Sequence, residues 1–96
     1  MITVKTIDST TFEVTVKDLT TTTHTVTVMP SYYEKLTRKS VSPEMLVEQS
    51  FRFLLERESN TSILRSFELS VIGQYFPEYE KTIRLVVGEG FEPPKA

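Results

Sequence analysis

The sequence predicts an α+β fold, in which a three-stranded antiparallel meander is followed by three to four helices packed on one face. Two observations lead to this prediction. The first third of the chain is rich in β-branched residues, and its apolar side chains alternate with polar ones, which is typical of half-buried strands. The rest carries apolar residues at the three- and four-residue spacing of amphipathic helices, interrupted by polar breaks and prolines.

Three segments carry the strand pattern, at residues 2–7, 12–17 and 24–29. Between the first two, residues 8–11 have the composition of a turn, in which the carboxylate of Asp8 can accept a hydrogen bond from the backbone two residues on. The second connection contains four consecutive threonines, residues 20–23. The pattern leaves open whether these threonines form a loop or extend the strands.

The helical part begins after Pro30, which ends the third strand. Ser31 is placed to cap a short helix that starts at Tyr32 and ends between Leu36 and Arg38. The next helix, predicted to extend to residue 58, has the clearest start in the chain. Ser42 can cap its free N–H groups, and Pro43 suits its first position. Its apolar residues cover more than half of its circumference, so we expect other elements to cover it from two sides.

A polar break at residues 59–62 ends that helix. Ser66 is placed to cap a further helix through Leu69 and Ile72, and Pro77 kinks it or opens a new one. Residues 84–87 alone also fit a strand, but their spacing from Tyr79 favours a helix. We expect one α+β domain over residues 1–90 and a flexible C-terminal tail over residues 91–96.

Composition excludes several classes of function. The 96 residues contain no cysteine, which excludes a disulfide scaffold, cysteine-ligated zinc and a thiol nucleophile. With 11 basic and 13 acidic residues, the overall charge does not favour nucleic acid or an anionic membrane. No apolar run reaches the roughly 20 residues of a membrane span, so we expect a cytoplasmic protein with no membrane partner. The glycosylation triplet at residues 60–62 is then interpreted as chance.

The reactive side chains favour a non-enzymatic protein. His24 is the only histidine, which excludes a multi-histidine metal site within one chain, and we interpret it as a strand-start residue with its ring at the sheet edge. Glutamates at positions 56 and 58, and at 78 and 80, point to different sides of a helix and cannot act as acid–base pairs. We therefore predict no catalytic residue, no metal site and no cofactor.

Broad apolar helix faces and a thin sheet favour a protein–protein contact module, whose partner is a second copy of this chain in a homodimer or else another protein. The contact is helix to helix or is made by adding strands at the edges of the meander. The predicted self-association residues are Tyr75, Phe76, Tyr79, Ile83 and Val86. The alternative is a monomer whose C-terminal helix folds back over the central one.

The succession of a strand, Pro30, a short helix and the helix that begins at Ser42 and Pro43 resembles a ribbon-helix-helix module over residues 24–51. That family includes DNA-binding repressors and antitoxins, in which paired strands from two chains enter the major groove. The resemblance implies a DNA-binding regulator as the alternative function, with Thr25 and Thr27 facing the groove. Residues 46–79 are also similar to small uncharacterised prokaryotic proteins, which implies no activity.

A local basic patch supplies the other candidate nucleic-acid contacts. Tyr32, Lys35, Arg38 and Lys39 lie close together in the sequence, although Glu34 dilutes their charge. Nucleic acid is therefore a partner that the sequence permits and that the overall charge does not favour.

Overall fold

The structure is a computed structural model that describes residues 1–87. It confirms the α+β class and the antiparallel meander, which a fourth strand extends. The predicted end of the domain and the whole predicted tail, residues 88–96, lie outside the described residues.

The sheet contains four strands in the order β1-β2-β3-β4. They are β1 (Ile2–Thr6), β2 (Thr11–Lys17), β3 (Thr21–Thr27) and β4 (Ser66–Glu68). The first three are antiparallel, whereas β4 runs parallel to β3. The open question about the threonine run is answered, because three of its four members belong to β3. The predicted turn is also confirmed, since the Thr10 backbone N–H donates to Asp8 Oδ1 at 2.9 Å.

Strand β4 corrects one prediction. Ser66 does not cap a helix: its strand lies beside the outer edge of β3, where the Thr25 N–H donates to the Arg65 carbonyl at 2.8 Å. Helical structure starts only afterwards, with a 3-10 turn at Leu69–Val71 and then α3 (Ile72–Tyr75). The capping signal is local, whereas the unpaired edge of β3 is a tertiary partner that no local pattern reveals.

The longer helices are α1 (Pro30–Thr37), α2 (Pro43–Leu55) and α4 (Tyr79–Val87). Helix α1 begins at Pro30 itself, and no side chain caps it, so the predicted role of Ser31 is wrong. Helix α2 starts as predicted, with the Met45 N–H donating to Ser42 Oγ at 3.1 Å, and ends three residues before position 58. The preference for helix over residues 84–87 is confirmed.

Helix α2 is covered from two sides, as predicted. On the sheet side, the ring centroid of Phe51 lies 5.3 Å from that of His24, which is on β3. On the opposite side, the ring of Phe53 lies 5.2 Å from that of Tyr79, which is on α4. The core is therefore a stack of sheet, α2 and α4. Over residues 1–87, no helix has the length and apolar character needed to cross a membrane.

Candidate functional site

His24 occupies the centre of a buried hydrogen-bond network, not a sheet edge. Its side chain is fully buried in the middle of β3. Nδ1 lies 2.7 Å from the Leu64 carbonyl oxygen, and Nε2 lies 2.9 Å from Thr22 Oγ1. Because a carbonyl can only accept, Nδ1 carries the proton and Nε2 accepts from the threonine hydroxyl. Both ring nitrogens are thus engaged in structural bonds, and neither is available as a catalytic base.

The network continues into Asn60, which is 3 % exposed. Its Nδ2 donates to Thr22 Oγ1 at 3.1 Å and to the Thr20 carbonyl at 2.7 Å. These bonds attach the loop after α2 to the β2–β3 hairpin. A buried, bonded amide is a poor glycosylation acceptor, so this geometry agrees with interpreting the triplet as chance.

The candidate nucleic-acid residues fall into two groups on different sides of the sheet. Thr25 and Thr27 alternate with the buried Val26, so their side chains lie on the face away from the helices. Tyr32 is on the helical side, where its hydroxyl donates to Glu80 Oε2 at 2.9 Å. Strand β3 also has both edges paired within the chain, to β2 and to β4.

Two of the three basic side chains near Tyr32, Lys35 and Lys39, lie beside acidic side chains. Lys35 Nζ lies 3.4 Å from a carboxylate oxygen of Glu80 and 5.8 Å from the centre of the Tyr32 ring. Lys39 Nζ lies 4.0 Å from Glu34. Arg38 ends α1 in the left-handed conformation, with a φ of 51°. The structure thus places both lysines beside compensating carboxylates.

The five predicted self-association residues do not share one surface. Tyr79 and Ile83 are 0 % and 1 % exposed and belong to the core of their own chain. Tyr75 is 66 % exposed, and Val86 is exposed on α4. Phe76 is partly buried, with its ring 5.9 Å from that of Phe53. The apolar stripe seen in the sequence therefore serves mainly to cover α2.

Among the residues that the structure describes, one edge of the sheet has no neighbouring strand. Strand β1 pairs with β2 alone, and the N-terminal residue and Lys17 exchange backbone hydrogen bonds at 2.9 and 2.8 Å. Hydrogen-bonded and outward-facing residues alternate along an antiparallel strand. The N–H and C=O groups of Ile2, Val4 and Thr6 consequently point away from β2. The side chains of Ile2 and Val4 are partly buried beneath α2.

A cavity of about 200 Å³ lies near the other edge of the sheet, beside β4. Its walls are mostly apolar and include Leu54, Ile63 and Phe67, while Glu58 contributes a carboxylate. Burial raises the pKa of the Glu58 carboxyl above its ordinary value. His24 does not line this cavity. Sequence reasoning missed the cavity because its walls come from the polar break and from the segment that was predicted to be one helix.

Within residues 1–87, no cluster of three or more histidine, aspartate or glutamate side chains could hold a metal ion. Comparison of the chain with protein-family models, with curated proteins and with solved structures finds no match.

Proposed function

We propose that this protein is a non-enzymatic contact module that forms a homodimer by pairing β1 of one copy with β1 of another. The observation that supports this is the open edge of β1, where the outward backbone donors and acceptors of Ile2, Val4 and Thr6 have no strand partner within residues 1–87. An open edge of this kind is a template for strand addition.

The β1 edge can pair with the β1 edge of a second copy, because its backbone donors and acceptors are complementary. With a two-fold axis at Val4, each outward N–H of one strand meets an outward carbonyl of the other. Ile2 then faces Thr6 of the second copy, and Thr3 faces Lys5. No like charges are opposed, and Lys5 keeps Glu13 as its neighbour on β2. The two sheets would join into one continuous sheet, with the half-buried Val4 side chains in contact across the axis.

The other surfaces considered for self-association are weaker candidates. A helix-to-helix contact through α4 cannot use Tyr79 and Ile83, which are already buried, and is left with the exposed Leu85 and Val86. Strand β4 also has an outer edge, but it spans only Ser66–Glu68, compared with Ile2–Thr6 for β1. Short edge strands are one of the devices by which proteins avoid pairing.

The test is the solution mass by light scattering at a low and a high protein concentration, for the wild type and for Val4→Pro. Proline removes the N–H that points outward and leaves the bonds between β1 and β2 intact. We expect a concentration-dependent dimer for the wild type and a folded monomer for the variant. Circular dichroism and thermal melting establish that the variant is folded.

Two control variants make the result specific. Val4→Ala removes side-chain volume but keeps the N–H, so it should still form the dimer. Ser66→Pro makes the same kind of change at the other edge of the sheet, and it should also leave the dimer intact. A wild-type protein that stays monomeric at high concentration, or a Val4→Pro variant that dimerises like the wild type, would refute pairing through β1.

A further inference from the structure

The cavity beside β4 combines apolar walls with a single carboxylate, which has no side-chain partner within residues 1–87. Its apolar surface extends outward through Leu64 and Tyr75, which are 48 % and 66 % exposed. Phe67 and Phe76 add two more aromatic rings to the walls. Among the described residues that line the cavity, Glu58 is the only ionisable group apart from the Tyr75 phenol.

Glu58 differs from the nearby glutamates, which form ion pairs with Arg57. Arg57 pairs with Glu56 at 3.3 Å and with Glu78 at 3.1 Å. The Arg57 guanidinium also stacks over the Phe53 ring, 3.6 Å from its centre. The nearest cation in the sequence is thus committed elsewhere, and the Glu58 carboxylate bonds to no other side chain among residues 1–87. A carboxylate against apolar walls is stabilised by a cation that enters the same space.

We infer that this cavity binds an organic cation with a small apolar body. The ammonium group would pair with Glu58, and the body would fill the space between the apolar and aromatic walls, where ring faces also attract cations. The volume of the cavity limits the size of the ligand. A dry cavity of about 150 Å³ holds a benzene molecule. The volume of about 200 Å³ therefore suits a single ring with a short aminoalkyl chain.

The chemistry also predicts which molecules the cavity rejects. A neutral molecule of the same shape gains the apolar contacts but leaves the carboxylate unpaired. An anion of the same shape is repelled by Glu58. A hydrogen bond to a charged group contributes about 1.5–3 kcal/mol, which corresponds to roughly tenfold or more in affinity. The ammonium ligand should therefore bind at least about tenfold more tightly than its neutral analogue.

The experiment titrates the full chain with 2-phenylethylamine, 2-phenylethanol and 3-phenylpropionate, and follows the backbone amides by NMR. We expect saturable shifts with the amine at Ile63, Leu64 and neighbouring residues, weaker binding of the alcohol and none of the carboxylate. Equal affinities for all three probes, or no saturable shifts with the amine, would overturn the inference.

Matched variants assign the effect to one carboxylate. Glu58→Gln keeps the shape of the side chain and should reduce the affinity for the amine to that for the alcohol. Glu56→Gln makes the same change in charge two residues away, outside the cavity, and should leave the affinity unchanged. Unchanged binding by Glu58→Gln would refute the site. The result is independent of the proposed dimer, because Val4→Pro lies at the other edge of the sheet and should bind the amine as the wild type does.

Discussion

The two edge strands of the sheet, β1 and β4, differ in their length, in their direction relative to the neighbouring strand and in what lies beside them. The β1 edge is five residues long, antiparallel and open. The β4 edge is three residues long, is parallel, and adjoins the loop from Asn60 and the walls of the cavity. The first edge offers backbone groups, which suit a second strand. The second offers apolar side chains and a carboxylate, which suit a small ligand.

The two edges also differ in what determines them, which is the local sequence pattern for β1 and tertiary contacts for β4. Strand β1 arises from alternation within the sequence, whereas β4 exists because β3 has a second edge to satisfy. The interactions that hold the β4 side of the molecule are long-range, and they should be more sensitive to single substitutions than those at β1.

Phe51→Ala should affect the β4 side most strongly. Phe51 is fully buried, and its ring lies 5.3 Å from that of His24 and 6.0 Å from that of Phe67. Removing it leaves a cavity beneath β3 and β4, and the free energy of unfolding should fall by about 3–5 kcal/mol in urea titrations. Arg52→Ala, an exposed change in the next residue of the same helix, should cost less than about 1 kcal/mol. Near-wild-type stability of Phe51→Ala would mean that this ring does not support the sheet.

Asn60→Ala should cost about 1–3 kcal/mol, because it leaves the part-buried Thr20 carbonyl and the buried Thr22 hydroxyl without their Asn60 donor. Amide exchange should show faster opening at β4 and at the loop before it than at β1. Thr61→Ala is the control, since that side chain is exposed and, within residues 1–87, bonds only to the Ser59 hydroxyl. A uniform increase in exchange across all four strands would contradict the contrast between the edges.

The sequence predicted the strands and helices that are determined by residues close together in the chain. The meander follows from alternation, and the start of α2 follows from Ser42 and Pro43, which act within one helical turn. The position of β4 and the role of Asn60 depend on partners about 40 residues away along the chain. The cavity could not be foreseen for the same reason, because Glu58 lies between Arg57 and Ser59 in the sequence and nothing local indicates that it faces apolar walls. Tyr79 and Ile83 were recognised as an apolar stripe, but periodicity does not distinguish a surface that covers its own chain from one that covers another.

Thr6→Val should have a smaller effect and should be confined to the β1 side. The Thr6 hydroxyl donates to the Glu44 carboxylate at the start of α2, and this bond is the main reason that the pKa of Glu44 is lowered. Valine keeps the shape of threonine and loses the bond, so we expect at most about 1 kcal/mol of destabilisation at this exposed site. In an NMR titration, the pKa of Glu44 should rise toward its ordinary value. An unchanged pKa would mean that Thr6 is not its partner in solution.

The smallest expected effect is the pH dependence that arises from one proton on His24. Burial is the main cause that lowers the pKa of His24 below its ordinary value of about 6.5, and nearby Arg65 acts in the same direction. The unfolded chain therefore takes up a proton at a higher pH than the folded chain does. Stability should fall as the pH drops from 7 toward 5, and this contribution is fully present above pH 6.5.

Because the chain has a single histidine, its ring protons report that pKa directly by NMR without any substitution. We expect a midpoint below 6.5, with Thr22 and Asn60 amide shifts following the same curve. Protonated Nε2 becomes a donor facing the Thr22 hydroxyl, which must rotate while it still accepts from Asn60. Acid should therefore loosen the β4 side through this network before it affects β1. A His24 pKa at or above 6.5 would show that the folded chain accommodates the charged ring. The contrast between the two edges would then be independent of pH.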